Sequence, residues 1–310
     1  MPDFLSHNIT VINFILINMA LGLSIYLTLS TGLLSLANAG FMAIGAYTTA
    51  LIITRTDIPL GVAIFPAMLL AALVALPLGM LVLRLRDVYL AIATLGFGEI
   101  VRIAALNGDK VVRWFSDNKD LIVFNGAEGI TLSYVTPKIV LGLPDSTWPL
   151  LIYLLVVTYL AFTLQNSRYG RVLASIRQDE TAAHTLGIDV VRYKLLAFVL
   201  SAAIAAGAGA LSAPVMRVID PRNYVFSKAV DILAYAVLGG MTHWFGPIVG
   251  ATVLTSLPEI LSFLKDQRDV ANGLIIMIST IYLPGGLVDP KMWRSLAKFV
   301  LGRNTSGSTA

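Results

Sequence analysis

Long apolar runs separated by short polar segments dominate this chain. Most runs are close to twenty residues long, the length that an α-helix needs to cross the hydrocarbon core of a bilayer. The pattern predicts membrane helices over Ile9 to Ser30, Leu33 to Thr54, Pro59 to Leu83, Val88 to Leu106, Trp148 to Leu164, Leu195 to Val215, Ala229 to Met241, Phe245 to Leu264 and Val270 to Leu283. Because lipid cannot satisfy unpaired backbone groups, these helices are expected to pack into one bundle.

The predicted fold is an all-α integral membrane protein, a polytopic bundle of 8–10 transmembrane helices. The bundle is one transmembrane domain over residues 1–303, followed by a disordered tail, 304–310. The runs at 229–241 and 270–283 are short for a complete crossing, which leaves the helix count open. Nine crossings place the N-terminus outside and the basic C-terminal segment inside. No Lys/Arg-rich start of a cleaved signal peptide precedes the first run, so it is interpreted as a true membrane helix.

Composition supports a membrane location and excludes several kinds of chemistry. Hydrophobic residues make up 57% of the chain and charged residues 13%, against about 25% charged residues in soluble domains. The absence of cysteine excludes disulfides, thiolate metal sites and cysteine catalysis. The sequence contains no Walker A motif, zinc-protease helix or serine-hydrolase elbow. Any ATP used by this protein is therefore expected to be hydrolysed by another chain.

The charges in the loops predict which side each loop faces. Residues 166–194 carry five basic side chains against three acidic ones, which is typical of a cytoplasmic loop. Residues 108–147 carry four basic against five acidic residues, which suits the outer face. The segment from Arg217 to Lys228 is net positive on a predicted outer face, and the charge rule does not explain it.

The segment 166–194 is polar but patterned. From Gly170 onward, apolar residues recur at helical spacing up to Leu186. Asp179 is placed to cap a short helix from Glu180 to Leu186, and Gly187 stands where a helix C-terminal glycine is expected. The pattern alone leaves two interpretations open: a helix on which another protein acts, and an amphipathic helix lying on the membrane surface.

Several polar and small residues lie at depth in the predicted spans. Ser35, Asn38 and Thr94 are candidates to line a translocation path. Each could equally form a helix–helix hydrogen bond, and Gly40 could serve close helix packing. Glu99 stands three residues before Arg102 in the fourth span, where an ionisable residue is a functional candidate. A structural ion pair on one helical face is the preferred interpretation of Glu99.

Three separated stretches of the sequence resemble the permeases of branched-chain amino acid ABC transporters. They are Ser35 to Tyr47, Ile176 to Ala203, and Leu238 to Ala251. The segment Tyr89 to Arg102 is most similar to the M-type of the two paired permeases of this family. The similarity extends over about Leu21 to Asp289, with the motifs in the family's order.

The resemblance implies that 166–194 is a coupling loop, the name used for it below, with an ATPase-coupling motif. The positions implied in coupling are Arg177, Asp179, Glu180, Ala182, Ala183 and Gly187. Thr181 beside the glutamate places Gly187 one position later than in the general importer pattern. The candidates to line the translocation pathway are Ser35, Asn38, Gly40, Thr94 and Glu99. No catalytic or metal-binding residue is expected.

The resemblance also implies partners, a location and a role. The partners are a second homologous permease, two cytoplasmic ATPase subunits and a periplasmic substrate-binding protein, in a bacterial cytoplasmic (inner) membrane. The chain itself would be non-catalytic and hold no cofactor, since ATP and Mg are used by the ATPases. Family relatives for urea, amides or small aromatic or organic acids leave the substrate open. An ion-coupled secondary carrier and a non-transporting scaffold are the alternatives from other classes.

Overall fold

The helices of this protein are packed into a bundle. A computed structural model describes residues 2–56, 58–85, 87–115, 126–132, 139–140, 143–144, 147–260, 273, 277 and 286–288. Ten α-helices lie in these ranges: α1 Pro2–Leu29, α2 Asn38–Arg55, α3 Leu60–Val82, α4 Asp87–Phe115, α5 Thr147–Asn166, α6 Arg168–Gln178, α7 Glu180–Thr185, α8 Val190–Met216, α9 Phe226–Gly239 and α10 Phe245–Ile260. Short 3₁₀ turns lie at Gly126–Glu128 and Pro221–Tyr224.

Five of these helices are long and apolar enough to cross a membrane. The corresponding segments are Ile9–Leu29, Leu60–Val82, Val88–Lys110, Thr147–Asn166 and Val190–Met216. The all-α membrane fold predicted from the sequence is therefore confirmed. The tail, 304–310, lies outside the described residues. The predicted ninth span, 270–283, also lies outside them, except for residues 273 and 277.

Several predicted boundaries are wrong, among them the start of α8, which lies at Val190 and not at Leu195. The second span does not begin at Leu33, because residues 33–36 are non-helical and α2 begins at Asn38. Side chains replace the missing intrahelical bonds there: Thr94 Oγ1 accepts the N–H of Leu36 at 2.9 Å. The fourth helix runs to Phe115, beyond the predicted end at Leu106, so the first residues of the predicted outer loop are helical.

The core lies where α8 packs against α1, α2 and α3. Small residues bring α2 and α8 into close contact. A Cβ atom at Gly45 would lie 1.9 Å from the carbonyl oxygen of Ala206, and one at Gly209 would lie 2.0 Å from that of Met42. Close backbone approach of this kind is the usual basis of helix association where lipid offers no hydrophobic driving force.

Contacts between connecting segments define two ends of the bundle. At one end, β1 (Ile130–Thr131) pairs antiparallel with β4 (Val218–Ile219). At the other end, the backbone at Gly32 lies against Arg177 of the coupling loop. A second short hairpin pairs β2 (Ile139–Val140) with β3 (Leu143–Pro144). β1 belongs to the segment 108–147 and β4 to the segment 217–228, so the two segments that the predicted count of crossings places on the outer face meet at the same end. The side of the membrane that each end faces stays a prediction.

Candidate functional site

The first helix of the coupling loop, α6, is fixed at its start by a capping side chain. Ser167 Oγ accepts the backbone N–H of Gly170 at 3.2 Å, the bond expected of a helix N-cap. Two residues later, Tyr169 donates its hydroxyl to the carbonyl oxygen of Tyr193 at 3.1 Å. Burial raises the pKa of Tyr169 to about 12, with Tyr193 adding to the shift. The hydroxyl therefore stays protonated and joins α6 to α8, a role that the sequence did not reveal.

The second helix, α7, has the caps predicted for it at both ends. Asp179 Oδ1 accepts the N–H of Ala182 at 2.9 Å. Gly187 has a φ of +83°, and its N–H donates to the carbonyl of His184 while that of Ile188 donates to Ala183. These two bonds form a Schellman motif, which places the glycine at the residue after the helix end. α7 itself ends at Thr185, one residue before the predicted end.

A small apolar cluster and an ion pair hold α7 against α6 and α8. Ala183 is 2% exposed and packs with Ile176 and Val190. Lys194 Nζ lies 2.6 Å from Glu180 Oε2, with the lysine mostly buried and the glutamate half exposed. Of the implied coupling residues, Glu180 and Ala183 are thus also structural, since they fix the orientation of α7.

The opposite surface of α7 is exposed to solvent. Asp179, Ala182 and Gly187 are exposed there. Leu186 is 80% exposed, the highest value of any large hydrophobic side chain in the described residues. Leu186, the last residue of the apolar pattern found in the sequence, is therefore not part of the buried cluster around Ala183. The Schellman turn directs it outward, so that an apolar side chain stands on an otherwise polar surface.

Two polar side chains connect the coupling loop and its preceding helix to the α9–α10 connection. Arg177 Nη1 donates to the carbonyl oxygen of Met241 at 2.9 Å. Gln165, near the end of α5, accepts the N–H of Trp244 at 3.1 Å and donates to the carbonyl of Thr242 at 3.3 Å. These bonds join α5 and α6 to the segment between α9 and α10.

The pathway candidate Asn38 is part of a buried hydrogen-bond network. Its Nδ2 donates to Ser24 Oγ at 2.8 Å and to Ser201 Oγ at 3.0 Å. Ser201 Oγ in turn donates to the carbonyl of Ser24 at 2.7 Å. The network joins α1, α2 and α8, and Asn38 is 3% exposed. Of the two interpretations left open for Asn38, the helix–helix hydrogen bond is the one observed.

Ser35 and Thr94 support the non-helical segment before α2. Ser35 is fully buried, and its Oγ accepts the N–H of Ala37 at 3.3 Å. Thr94 is also fully buried; besides accepting from Leu36, it hydrogen-bonds the carbonyl of Leu90 at 2.9 Å. Both hydroxyls are therefore occupied by backbone groups. Irregular backbone within a bundle is tolerated where protein groups satisfy it in this way.

Gly40 and Glu99 lie on either side of the contact between α2 and α4. A Cβ at Gly40 would lie 3.0 Å from the Cα of Gly98. Both carboxylate oxygens of Glu99 accept hydrogen bonds from Arg102 Nε, at 3.0 and 2.9 Å, and Arg102 Nη2 also donates. The predicted ion pair is confirmed. Glu99 also lines a pocket, and its side chain is 42% exposed.

A polar chain through the centre of the bundle was missed by the sequence reasoning. Lys228 Nζ donates to Asn18 Oδ1 at 3.0 Å, and Asn18 Nδ2 donates to Thr255 Oγ1 at 3.0 Å. The three residues belong to α9, α1 and α10. Lys228 is thus turned into the bundle, which accounts for one of the basic residues that did not fit the predicted outer loop.

The apolar helices define a class of protein, the multi-pass membrane proteins. A match to the family described as branched-chain amino acid transport system / permease component extends over residues 7–283. The chain belongs to that family, which confirms the resemblance found in its motifs. No solved structure matches it.

Similar proteins include both kinds of permease in this family. The chain is 34% identical over 298 residues to the high-affinity branched-chain amino acid transport system permease protein LivM of Escherichia coli K12, covering 91% of this chain and 69% of that protein. Identity to the LivM protein of Salmonella typhimurium LT2 is 33% over 311 residues, or 91% and 70% of the two chains. The LivH permease of E. coli K12 is 31% identical over 142 residues, which cover 43% of this chain and 45% of that protein.

Proposed function

We propose that this chain is the non-catalytic permease subunit of an ATP-driven importer of branched-chain amino acids. The observation that carries the proposal is the family match over residues 7–283, to which the LivM similarity adds coverage of nearly the whole chain. The complete transporter would contain a second, LivH-like permease, two cytoplasmic ATPases that use ATP and Mg, and a periplasmic binding protein. The translocation path forms in this chain and its partner permease.

The proposed contact with the ATPase is the exposed surface of α7. Asp179, Ala182 and Gly187 shape this surface and Leu186 is its apolar anchor, since apolar side chains that enter a partner's pocket supply much of the affinity of an interface. The caps and the Glu180–Lys194 pair keep α7 rigid, so that a displaced ATPase surface carries α6 with it. Packed bundles switch between discrete arrangements under such a displacement.

The bonds of Arg177 and Gln165 provide the route from the coupling loop into the bundle. They join α5 and α6 to the α9–α10 connection, and the turn at Gly32 rests on Arg177. Movement of α6 would therefore reach α1, α9 and α10 together. In this proposal, ATP binding and hydrolysis outside this chain drive alternating access of the path inside it.

Reconstitution in proteoliposomes tests the function. We expect ATP-dependent uptake of leucine, isoleucine and valine when this permease, its partner permease, the ATPases and the binding protein are all present, and none when one is omitted. Uptake by this chain alone, or uptake driven by a proton gradient without ATP, would contradict the proposal in favour of a secondary carrier.

The variant Leu186→Ser tests the docking surface. Its effect on stability should be small, because the side chain is 80% exposed. We expect roughly tenfold weaker association with the ATPases, the size of a single interface anchor, and a matching fall in ATP-dependent uptake. The control is Val191→Ser, another exposed apolar residue, at 63%, which lies in α8. Equal losses in both variants would contradict a specific role for Leu186.

A further inference from the structure

Three of the five long apolar spans have a largely exposed surface, and one of the three carries charge at its middle. Leu60–Val82, Val88–Lys110 and Thr147–Asn166 are the least buried, with 28%, 33% and 22% of their apolar stretches inside the protein. The helices of the first and third, α3 and α5, contain no charged residue. In the second, which belongs to α4, the side chains of Glu99 and Arg102 are 42% and 21% exposed.

Glu99 is the central residue of the span Val88–Lys110, with eleven residues on each side. At a rise of 1.5 Å per residue, it lies about 17 Å from either end of that span. Charged side chains at such a depth are costly in contact with lipid, and they normally face protein or a water-filled path. The exposed surface of α4 is therefore a poor surface for lipid, whereas the uncharged surfaces of α3 and α5 suit it.

The outward residues of α4 recur with the spacing of a helix-packing seam. The α4 seam consists of five residues at intervals of three and four: Tyr89, Ile92, Gly96, Glu99 and Ile103. This spacing aligns side chains for packing against a second helix, as in coiled coils and in most membrane bundles. Tyr89, Ile92 and Ile103 are all exposed. The described chain therefore leaves the α4 seam open.

Gly96 forms a notch at the centre of the α4 seam. A Cβ atom there would meet no atom within 4 Å, so packing inside this chain does not require a glycine. Glycine costs about 1 kcal/mol relative to alanine within a helix, and small residues in membrane helices are concentrated where another helix approaches closely. Gly98, on the inward side of α4, has such a neighbour in Gly40 of α2. Gly96 offers the same close approach on the outward side.

We infer that the α4 seam is the surface on which the second permease of the transporter packs. The inference rests on the proposed function, which requires a LivH-like partner, and it names the face that receives that partner. A helix of the partner lies across Gly96 and covers the exposed apolar side chains. Arg102 already balances the charge of Glu99, so the partner supplies a neutral hydrogen-bond donor to the carboxylate oxygens, each of which can accept more than one bond.

Photo-crosslinking in the reconstituted transporter tests which surface the second permease covers. The chain has no cysteine, so a single introduced cysteine carries the only photoprobe on it. Ile100→Cys, beside the α4 seam and 67% exposed, is compared with Leu155→Cys of α5, which is 69% exposed. We expect the probe at Ile100 to crosslink to the second permease and the probe at Leu155 not to do so. Equal yields at both positions, or crosslinks from Ile100 to a second copy of this chain, would overturn the inference.

Filling the notch provides the second test. Gly96→Leu adds a side chain where this permease has open space, so its own melting temperature should be unchanged. We expect association with the second permease to weaken about tenfold or more, the scale of an overpacked contact. Gly61→Leu is the matched control, since a Cβ at Gly61 of α3 also meets no atom within 4 Å. Wild-type association in Gly96→Leu, or equal weakening in both variants, would overturn the inference.

The wild-type transporter separates this inference from the proposed function. Assembly of the two permeases without ATP-dependent leucine uptake would contradict the proposed function alone. Normal uptake together with no crosslink from Ile100 would overturn the α4 seam alone. Two permeases that do not associate would contradict both.

Discussion

The coupling loop and the centre of the bundle both contain hydrogen-bonded polar side chains, but the bonds span different distances along the sequence. In the coupling loop, Ser167, Asp179 and Asp189 each cap a helix through a bond to a backbone N–H three residues ahead. In the bundle, Asn38 reaches Ser201, which is 163 positions away in the sequence. Local bonds make the loop a rigid unit with an exposed surface, whereas distant bonds bind separate helices into one body.

The largest expected effect comes from breaking the bundle where its helices are closest. Gly45→Val places side-chain atoms where a Cβ alone would already lie 1.9 Å from the carbonyl oxygen of Ala206. We expect a loss of roughly 3 kcal/mol or more in the free energy of unfolding, since packed backbone cannot yield as a flexible side chain does. Thermal unfolding in detergent measures it.

Gly61→Ala is the control for this prediction. Gly61 also lies in a helix, but a Cβ there would meet no atom within 4 Å. We expect this variant to be neutral or slightly stabilising, because alanine is a better helix former than glycine. A wild-type melting temperature for Gly45→Val would show that the contact between α2 and α8 is looser than the structure indicates.

The next effect comes from removing one member of the buried network. Ser201→Ala leaves an Asn38 N–H and the carbonyl of Ser24 without their partner on α8. We expect a loss of about 1–3 kcal/mol in stability, the usual cost of an unsatisfied buried group. Ser256→Ala is the matched control, because its hydroxyl donates to the carbonyl oxygens of Thr252 and Val253 within α10. Equal losses in both variants would contradict a role for the bonds between helices.

A smaller effect is expected at the end of α7. Gly187 has a φ of +83° and open space around its Cα, so substitution there introduces backbone strain without a clash. We expect Gly187→Ala to cost about 1–2 kcal/mol and to reduce coupling, while Gly187→Asn retains most activity because asparagine tolerates this conformation. ATP-dependent uptake, compared with membrane insertion, distinguishes lost coupling from lost folding. Identical uptake in the two variants would argue against strain as the cause.

The same difference in range explains what the sequence could predict. The apolar character of the long helices, the Asp179 cap and the Gly187 turn depend on neighbouring residues, and the sequence predicted each of them. The start of α2 was predicted wrongly, because the N–H of Leu36 is satisfied by Thr94, 58 positions away. For the same reason Lys228 was assigned to a charged loop, although its partner Asn18 lies on another helix, 210 positions away. The implied coupling and pathway roles stay predictions.

The smallest expected effect tests whether a contact between residues distant in sequence stabilises the coupling loop. Glu180 and Lys194 lie 14 positions apart, and their 2.6 Å ion pair ties α7 to α8. Because the glutamate is half exposed, a double-mutant cycle of Glu180→Gln and Lys194→Met should give a coupling energy of about 0.2–1 kcal/mol. The energy should shrink as salt is raised, since salt screens exposed charges. A coupling energy well above this range and unaffected by salt would mean that a desolvated ion pair chiefly holds α7 in place. The coupling loop would then depend, as the bundle does, on contacts between residues distant in sequence.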